Sequence, residues 1–320
     1  VELHLVWSQG KSAVSISLLG LIIPFVLGFI FPYFFPSFFG LAEGSQLLFS
    51  LFMGTAMSIT ALPVVVRILM DMNLFKTKMG MVIVAGAMVN DIIGWLIFSV
   101  ILSFMGKSGN LSLISTIGIT LLFTVFMLTV GKGLLNKVLP WTNKKLAWPG
   151  GVLSLSMAFC FMLAAFTEWL GIHAIFGAFL FGVALGDSDH LSEKAKEIIH
   201  QFINNIFAPL FFVSIGLKIN FFTNFDIWLV LAIIIISFAG KIIGSGYGAL
   251  ISGYAKMDAL AVGFGMNARG AMEIILGLIA LENGLIDEKL FVALVVMALV
   301  TSMTSGPLMK WALKKKAAAS

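Results

Sequence analysis

The chain has 320 residues, of which 60% are hydrophobic and 11% charged, with 30 Phe and a mean hydropathy of +1.06. That composition excludes a soluble domain with a polar surface and describes an all-α polytopic membrane protein. The net charge of +5 comes from basic residues scattered through short loops, which excludes the single basic stripe of a nucleic-acid binder.

The first apolar run covers residues 12–35 and meets the length of about 20 apolar residues that a bilayer crossing needs. The second, 44–71, is interrupted at Met57-Ser58-Ile59-Thr60-Ala61-Leu62-Pro63. Pro63 lacks a backbone donor and clashes with the carbonyl four residues earlier, so a continuous helix is disfavoured there. The third run, 77–106, carries Asn90 and Asp91 at its middle. A central carboxylate costs roughly 2.5–3.5 kcal/mol on insertion scales and marks a functional site. Desolvation disfavours its bare charge, so Asp91 is expected to hold in turn a proton or a monovalent cation, and either form is close to neutral. Asn90 offers a carbonyl oxygen without a second negative charge, and Ser58 and Thr60 offer hydroxyls. Hard monovalent cations such as sodium or potassium suit these ligands, whereas a divalent ion would need more carboxylates.

Runs follow at 111–136, 150–170, 172–187 and 195–217. Asn110-Leu111-Ser112 matches a glycosylation pattern and is read as a chance match so close to the membrane. Cys160, the one cysteine, reads as a small packing residue, and no intrachain disulfide is possible. The run 172–187 is short for a full crossing. The next contains His200, Gln201, Asn204, Asn205 and Pro209, with His200 read as an interfacial histidine rather than a pH sensor.

Lys241 lies within the run 225–252, where it is expected to compensate the charge of Asp91 or to give up its own proton when a cation enters. The run 256–282 is broken at Gly263-Phe264-Gly265-Met266-Asn267-Ala268-Arg269-Gly270. Arg269 and Glu273 are four residues apart, the spacing of a pair on one helix face, and are expected to form a structural ion pair near this break. Arg67 and Asp71 share the spacing at a loop end and read as a surface pair. The run 287–313 is the tenth.

Numbering loops alternately puts fourteen lysines, from Lys11 to Lys316, on one side, and Lys107, Lys218 and Lys289 on the other. The positive-inside rule makes the first side cytoplasmic, with both ends of the chain there, and the bias supports ten spans including the short one. The chain begins at Val1-Glu2-Leu3 without a charged-then-apolar leader, as a fragment would.

Each broken run is the middle member of a triplet, and the triplets start an odd number of spans apart. This is the pattern of an inverted repeat with two crossed discontinuous helices and the binding site between them. Residues 12–106 then form the first core repeat, 107–224 a linking helix with scaffold helices, and 225–313 the second core repeat. Breaks in lipid leave backbone groups unsatisfied unless they line a polar interior, here the surroundings of Asp91.

Four segments taken together, Ser58-Ile-Thr-Ala-Leu-Pro-Val-Val-Val-Arg-Ile-Leu, Val89-Asn-Asp-Ile-Ile-Gly-Trp, Pro209-Leu-Phe-Phe-Val-Ser-Ile-Gly-Leu and Met266-Asn-Ala-Arg-Gly-Ala-Met-Glu-Ile, resemble the monovalent cation:proton antiporters of the sodium/hydrogen exchanger family. The resemblance is to the branch with bacterial sodium or potassium antiporters and plant cation/proton exchangers, and it covers essentially the whole chain. It implies a core domain that moves as an elevator against a dimerisation domain, a homodimer in membrane lipid, and a bacterial inner or plasma membrane. It implies no cofactor beyond the transported ions. By this resemblance Asp91 is the ion-binding carboxylate, Asn90 the residue before it, Thr60 the hydroxyl beside the first break and Lys241 the basic residue of the opposite repeat. Similar members have about three further helices ahead of the point where this chain begins, so part of the dimerisation domain is expected to be missing. Electrogenic members carry two acidic residues where this chain has Asn90-Asp91, which implies electroneutral exchange; a proton lost from Lys241 as well would make it two protons per cation.

Two other readings are weighed: a gated potassium efflux system, and a cation-coupled organic-anion transporter, which would favour polar sites without the central Asp and Lys. Enzymatic activity is not expected, because no triad, metal-ligand cluster or phosphate loop stands out.

Overall fold

The computed structural model describes residues 4–41, 46–104, 113–145 and 149–317, and every regular element among them is helical. In chain order the α-helices are α1 (His4–Phe34), α2 (Gln46–Ser58), α3 (Leu62–Asp71), α4 (Lys78–Phe104), α5 (Leu113–Phe126), α6 (Lys132–Lys145), α7 (Gly150–Trp169), α8 (Ala174–Gly186), α9 (Glu193–Phe202), α10 (Ala208–Lys218), α11 (Ile227–Ile251), α12 (Lys256–Met266), α13 (Ala271–Glu282) and α14 (Glu288–Ala317). Eight helical stretches among the described residues are long and apolar enough to cross a membrane, and the bent pair α12–α13 makes a ninth. The short α8 is a further apolar helix. Its 13 residues reach about 20 Å, less than a bilayer's hydrocarbon core. Asn110-Leu111-Ser112 lies outside the described residues.

The helices fall into two compact units, one made of residues 3–98 and 221–320 and the other built around 99–220. In the first, α1 and α11 touch backbone to backbone. A Cβ added at Gly240 would lie 2.7 Å from Pro24 Cα, and one at Gly248 would lie 2.7 Å from the Ser15 carbonyl oxygen. Close approach through small residues replaces the hydrophobic drive that lipid does not supply. Gly240 meets Pro24, Gly244 meets Leu19 and Gly248 meets Ser15, so the two helices run in opposite directions. They head the two triplets α1–α4 and α11–α14, and the triplets are therefore inverted with respect to one another. A buried apolar cluster that includes Ile16, Leu69, Ile83, Val262, Met266 and Met309 fills the space between them.

In the second unit α5 and α6 are continuous through a π-helical turn, Met127–Gly131. The run expected to end at 136 continues to Lys145, with Pro140 inside the helix. Lys132 Nζ pairs with Asp187 at 2.8 Å and Asn136 Nδ2 donates to Asp189 at 3.3 Å, which ties α6 to the segment after α8. Cys160 is a free, half-buried thiol. His200 is exposed and faces Asn204 at 3.1 Å.

Candidate functional site

The first break is Ile59-Thr60-Ala61, between α2 and α3. Pro63 stands in the first turn of α3, where a missing N–H is tolerated, so the proline starts a half-helix rather than kinking one. The second break, Asn267–Gly270, separates α12 from α13, whose axes differ by 46°. The two breaks are joined directly. The Ala61 amide donates to the Ala268 carbonyl at 2.9 Å, and Thr60 Oγ1 donates to the Met266 carbonyl at 2.9 Å. A side chain at Gly270 would press on Ala61 and Val64 at 3.0 and 3.1 Å, so glycine permits this approach.

Asp91 stands on α4 facing the first break and is 6% exposed. The Leu62 amide at the start of α3 addresses its carboxyl, so the positive end of a half-helix points at the carboxylate. Its Oδ1 is buried and has no hydrogen-bond donor among the described residues. A desolvated carboxylate oxygen without a donor is suited to a proton or a metal ion.

Asn90, Thr60 and Ser58 are fully buried around it. The Asn90 carboxamide fits with Oδ1 toward Lys241, accepting from Nζ at 3.0 Å, while Nδ2 donates to the Ser17 carbonyl at 2.9 Å. The opposite orientation would set an amide N–H against an ammonium. Thr60 Oγ1 lies 3.4 Å from the same carboxamide. The Ser58 hydroxyl donates back to the Thr55 carbonyl at 2.9 Å.

Lys241 is fully buried, yet it forms no ion pair with Asp91. Nζ donates to the Gly20 carbonyl at 2.7 Å, to the Ser58 carbonyl and to Asn90. Three neutral oxygens thus take up its three donors, and it acts on Asp91 through space rather than by contact.

The expected Arg269–Glu273 ion pair is not formed. Arg269 lies in the break, ahead of α13, so the helical spacing that suggested the pair does not apply. Its guanidinium donates to the Ala56 carbonyl at 2.9 Å and the Met57 carbonyl at 2.6 Å. Glu273 instead caps α13, its Oε2 accepting from the Gly270 amide at 2.7 Å. Arg269 and Lys241 together cover the last carbonyls of α2, the negative end of that half-helix. Asp91, Glu273, Lys241 and Arg269 thus form one buried group of two acidic and two basic side chains.

Ser17 and Ser302 belong to this framework and carried no sequence signal. Ser17 meets Asn90 across 73 residues, and Ser302 Oγ accepts from the Arg269 amide at 3.2 Å and donates to the Arg269 carbonyl.

The chain is 36% identical over 93% of its length to Cation/H(+) antiporter 17 of Arabidopsis thaliana, spanning 37% of that protein. It is 31% identical over 93% of its length to Na(+)/H(+) antiporter NhaS4 of Synechocystis sp., spanning 74% of it. It is 28% identical over 94% of its length to Na(+)/H(+)-K(+) antiporter GerN of Bacillus cereus, spanning 75% of it. The transmembrane model of the sodium/hydrogen exchangers matches residues 1–315, and the chain is an integral membrane protein belonging to the sodium/hydrogen exchanger family.

Proposed function

We propose that this protein is a secondary antiporter that exchanges a monovalent cation, sodium or potassium, for a proton at Asp91. The observation that carries this reading is Asp91 Oδ1, buried without a donor among the described residues beside the break at Ile59-Thr60-Ala61; Glu273 Oε1 is buried without a partner as well, but Glu273 is committed to capping α13. A proton and a cation compete for Asp91 Oδ1, so one must leave before the other binds, and that exclusion couples the two fluxes. Thr60 and Asn90 supply neutral oxygens beside it. Lys241, saturated by three oxygens, keeps its proton and balances charge. One carboxylate then trades one proton for one cation, and the exchange is electroneutral.

Every site residue belongs to the unit made of 3–98 and 221–320, which supports alternating access by an elevator movement of that unit as a body. The helices of 99–220 are assigned to a scaffold that dimerises with a second copy. The lysine-rich loops are assigned to the cytoplasm, with both ends of the chain, in the plasma membrane of a bacterium. The names of the relatives, which include sodium, potassium and general cation/proton antiporters, support the exchange.

The test is proton flux followed by an entrapped pH dye in proteoliposomes, with sodium, potassium or lithium chloride added outside. Cation-dependent flux is expected in the native protein and none in Asp91→Asn. Unchanged flux in the variant would defeat the assignment of the site.

A further inference from the structure

The two half-helix ends that meet at the crossing are treated differently. The last carbonyls of α2 face two cations, Arg269 and Lys241. The end of α12 meets only neutral donors, the Thr60 hydroxyl at the Met266 carbonyl and the Ala61 amide at the Ala268 carbonyl. A helix C-terminus carries a partial negative charge, and at α12 no side-chain cation touches it.

Asn267 sits at that end, as the residue that caps α12. It is fully buried, and neither Oδ1 nor Nδ2 has a hydrogen-bond partner among the described residues. The buried carboxamide of Asn90 is engaged with Ser17 and Lys241, and that of Asn283 donates to the Ile279 carbonyl at 2.7 Å. An interior amide with both ends unmatched is unfavourable unless something else meets it. Its direction follows from helix geometry. A Cβ at Gly263 would fall 2.9 Å from the Ile242 carbonyl oxygen, so that face of α12 packs on α11. Asn267, four residues on and still in the right-handed helical conformation as the cap of α12, continues that face toward α11. Its backbone is held there by the contacts of Met266 and Ala268 with the first break.

We propose that Asn267 is a further ligand of the transported cation, its amide oxygen completing the coordination begun at Asp91 and helping to decide which alkali ion is preferred. This rests on the exchange reading above. The oxygen is hard and uncharged, so it distinguishes lithium, sodium and potassium by size without altering the charge exchanged. Because it takes no proton, its loss affects cation binding and leaves proton binding in place.

The experiment measures initial dye-reported flux against lithium, sodium and potassium concentration in proteoliposomes of the native protein, Asn267→Leu and Asn267→Asp. In Asn267→Leu the KM is expected to rise about fivefold or more, unequally for the three ions, with the maximal rate within about twofold of native. In Asn267→Asp, which keeps an oxygen and adds a charge, the order of preference among the ions is expected to change. Unchanged KM values in Asn267→Leu, or an equal fall in maximal rate for all three ions, would overturn the proposal. Should the leucine variant fail to assemble, native KM values and native order in Asn267→Asp would overturn it equally. Absence of cation-dependent flux in the native protein would instead defeat the exchange reading itself.

Discussion

Asp91 is buried on α4 near the first break, and its Oδ1 has no hydrogen-bond donor among the described residues. Competition at that oxygen fixes the sign of a pH effect. Protons occupy the site more as pH falls, so the apparent KM for the cation should rise on acidification and recover at higher pH, as flux titrations at several pH values would show. A KM independent of pH would mean that proton and cation bind apart. Arg269 and Arg67 separate the worth of a buried cation from an exposed one. Arg269→Leu leaves the Ala56 and Met57 carbonyls unmatched in the interior and should cost about 3–5 kcal/mol, seen as a lowered melting temperature in detergent. Arg67, whose side chain is 79% exposed in its pair with Asp71, should tolerate the same change within about 0.5 kcal/mol. Equal losses would contradict the roles given to the two arginines.

At the scale of elements, the crossing depends on how closely α4 approaches the first break. A Cβ at Gly94 would fall 2.5 Å from Ile59 Cγ1, whereas one at Gly118 in α5 meets nothing within 4 Å. Gly94→Val should push Ile59 and the break away from Asp91, and a displacement of about 1 Å can lower the rate by about a hundredfold. Gly118→Val should transport normally. Both broken helices were legible in the sequence because Pro63 and the glycines around Asn267 are local signals. The partners of the broken ends were not. The pairing of Arg269 with Glu273 was inferred from helical spacing, and the break removes the helix on which that spacing depends. Lys241 was expected to face Asp91, but no rule of spacing shows that carbonyls of α1 and α2 take its donors. The extension of α6 past Pro140 was likewise hidden, since a proline usually marks an end.

At the scale of the whole molecule, the candidate residues Asp91, Asn90, Thr60, Ser58, Lys241, Arg269 and Glu273 all fall within one compact unit. Most spans were readable because hydropathy acts over about twenty residues at a time, and chance contacts do not disturb it; eight long apolar helices and one bent pair are found among the described residues, against ten runs in the sequence. The grouping of two buried acidic and two buried basic side chains needed the structure, since only the fold brings Asp91, Lys241, Arg269 and Glu273 together. From the proposed one-for-one exchange at Asp91 comes a prediction about electrical behaviour. On a solid-supported membrane, exchange of sodium or potassium for protons should generate no sustained current while the dye reports proton flux. A sustained current would require a second proton, with Lys241 as its source.

The most direct measurement counts protons released when a cation binds the purified protein in weakly buffered detergent solution. About one proton should appear per sodium or potassium ion bound by the native protein, and none from Asp91→Asn. Cation binding without proton release, or the same release from the variant, would contradict a carboxylate shared in turn by the two ions.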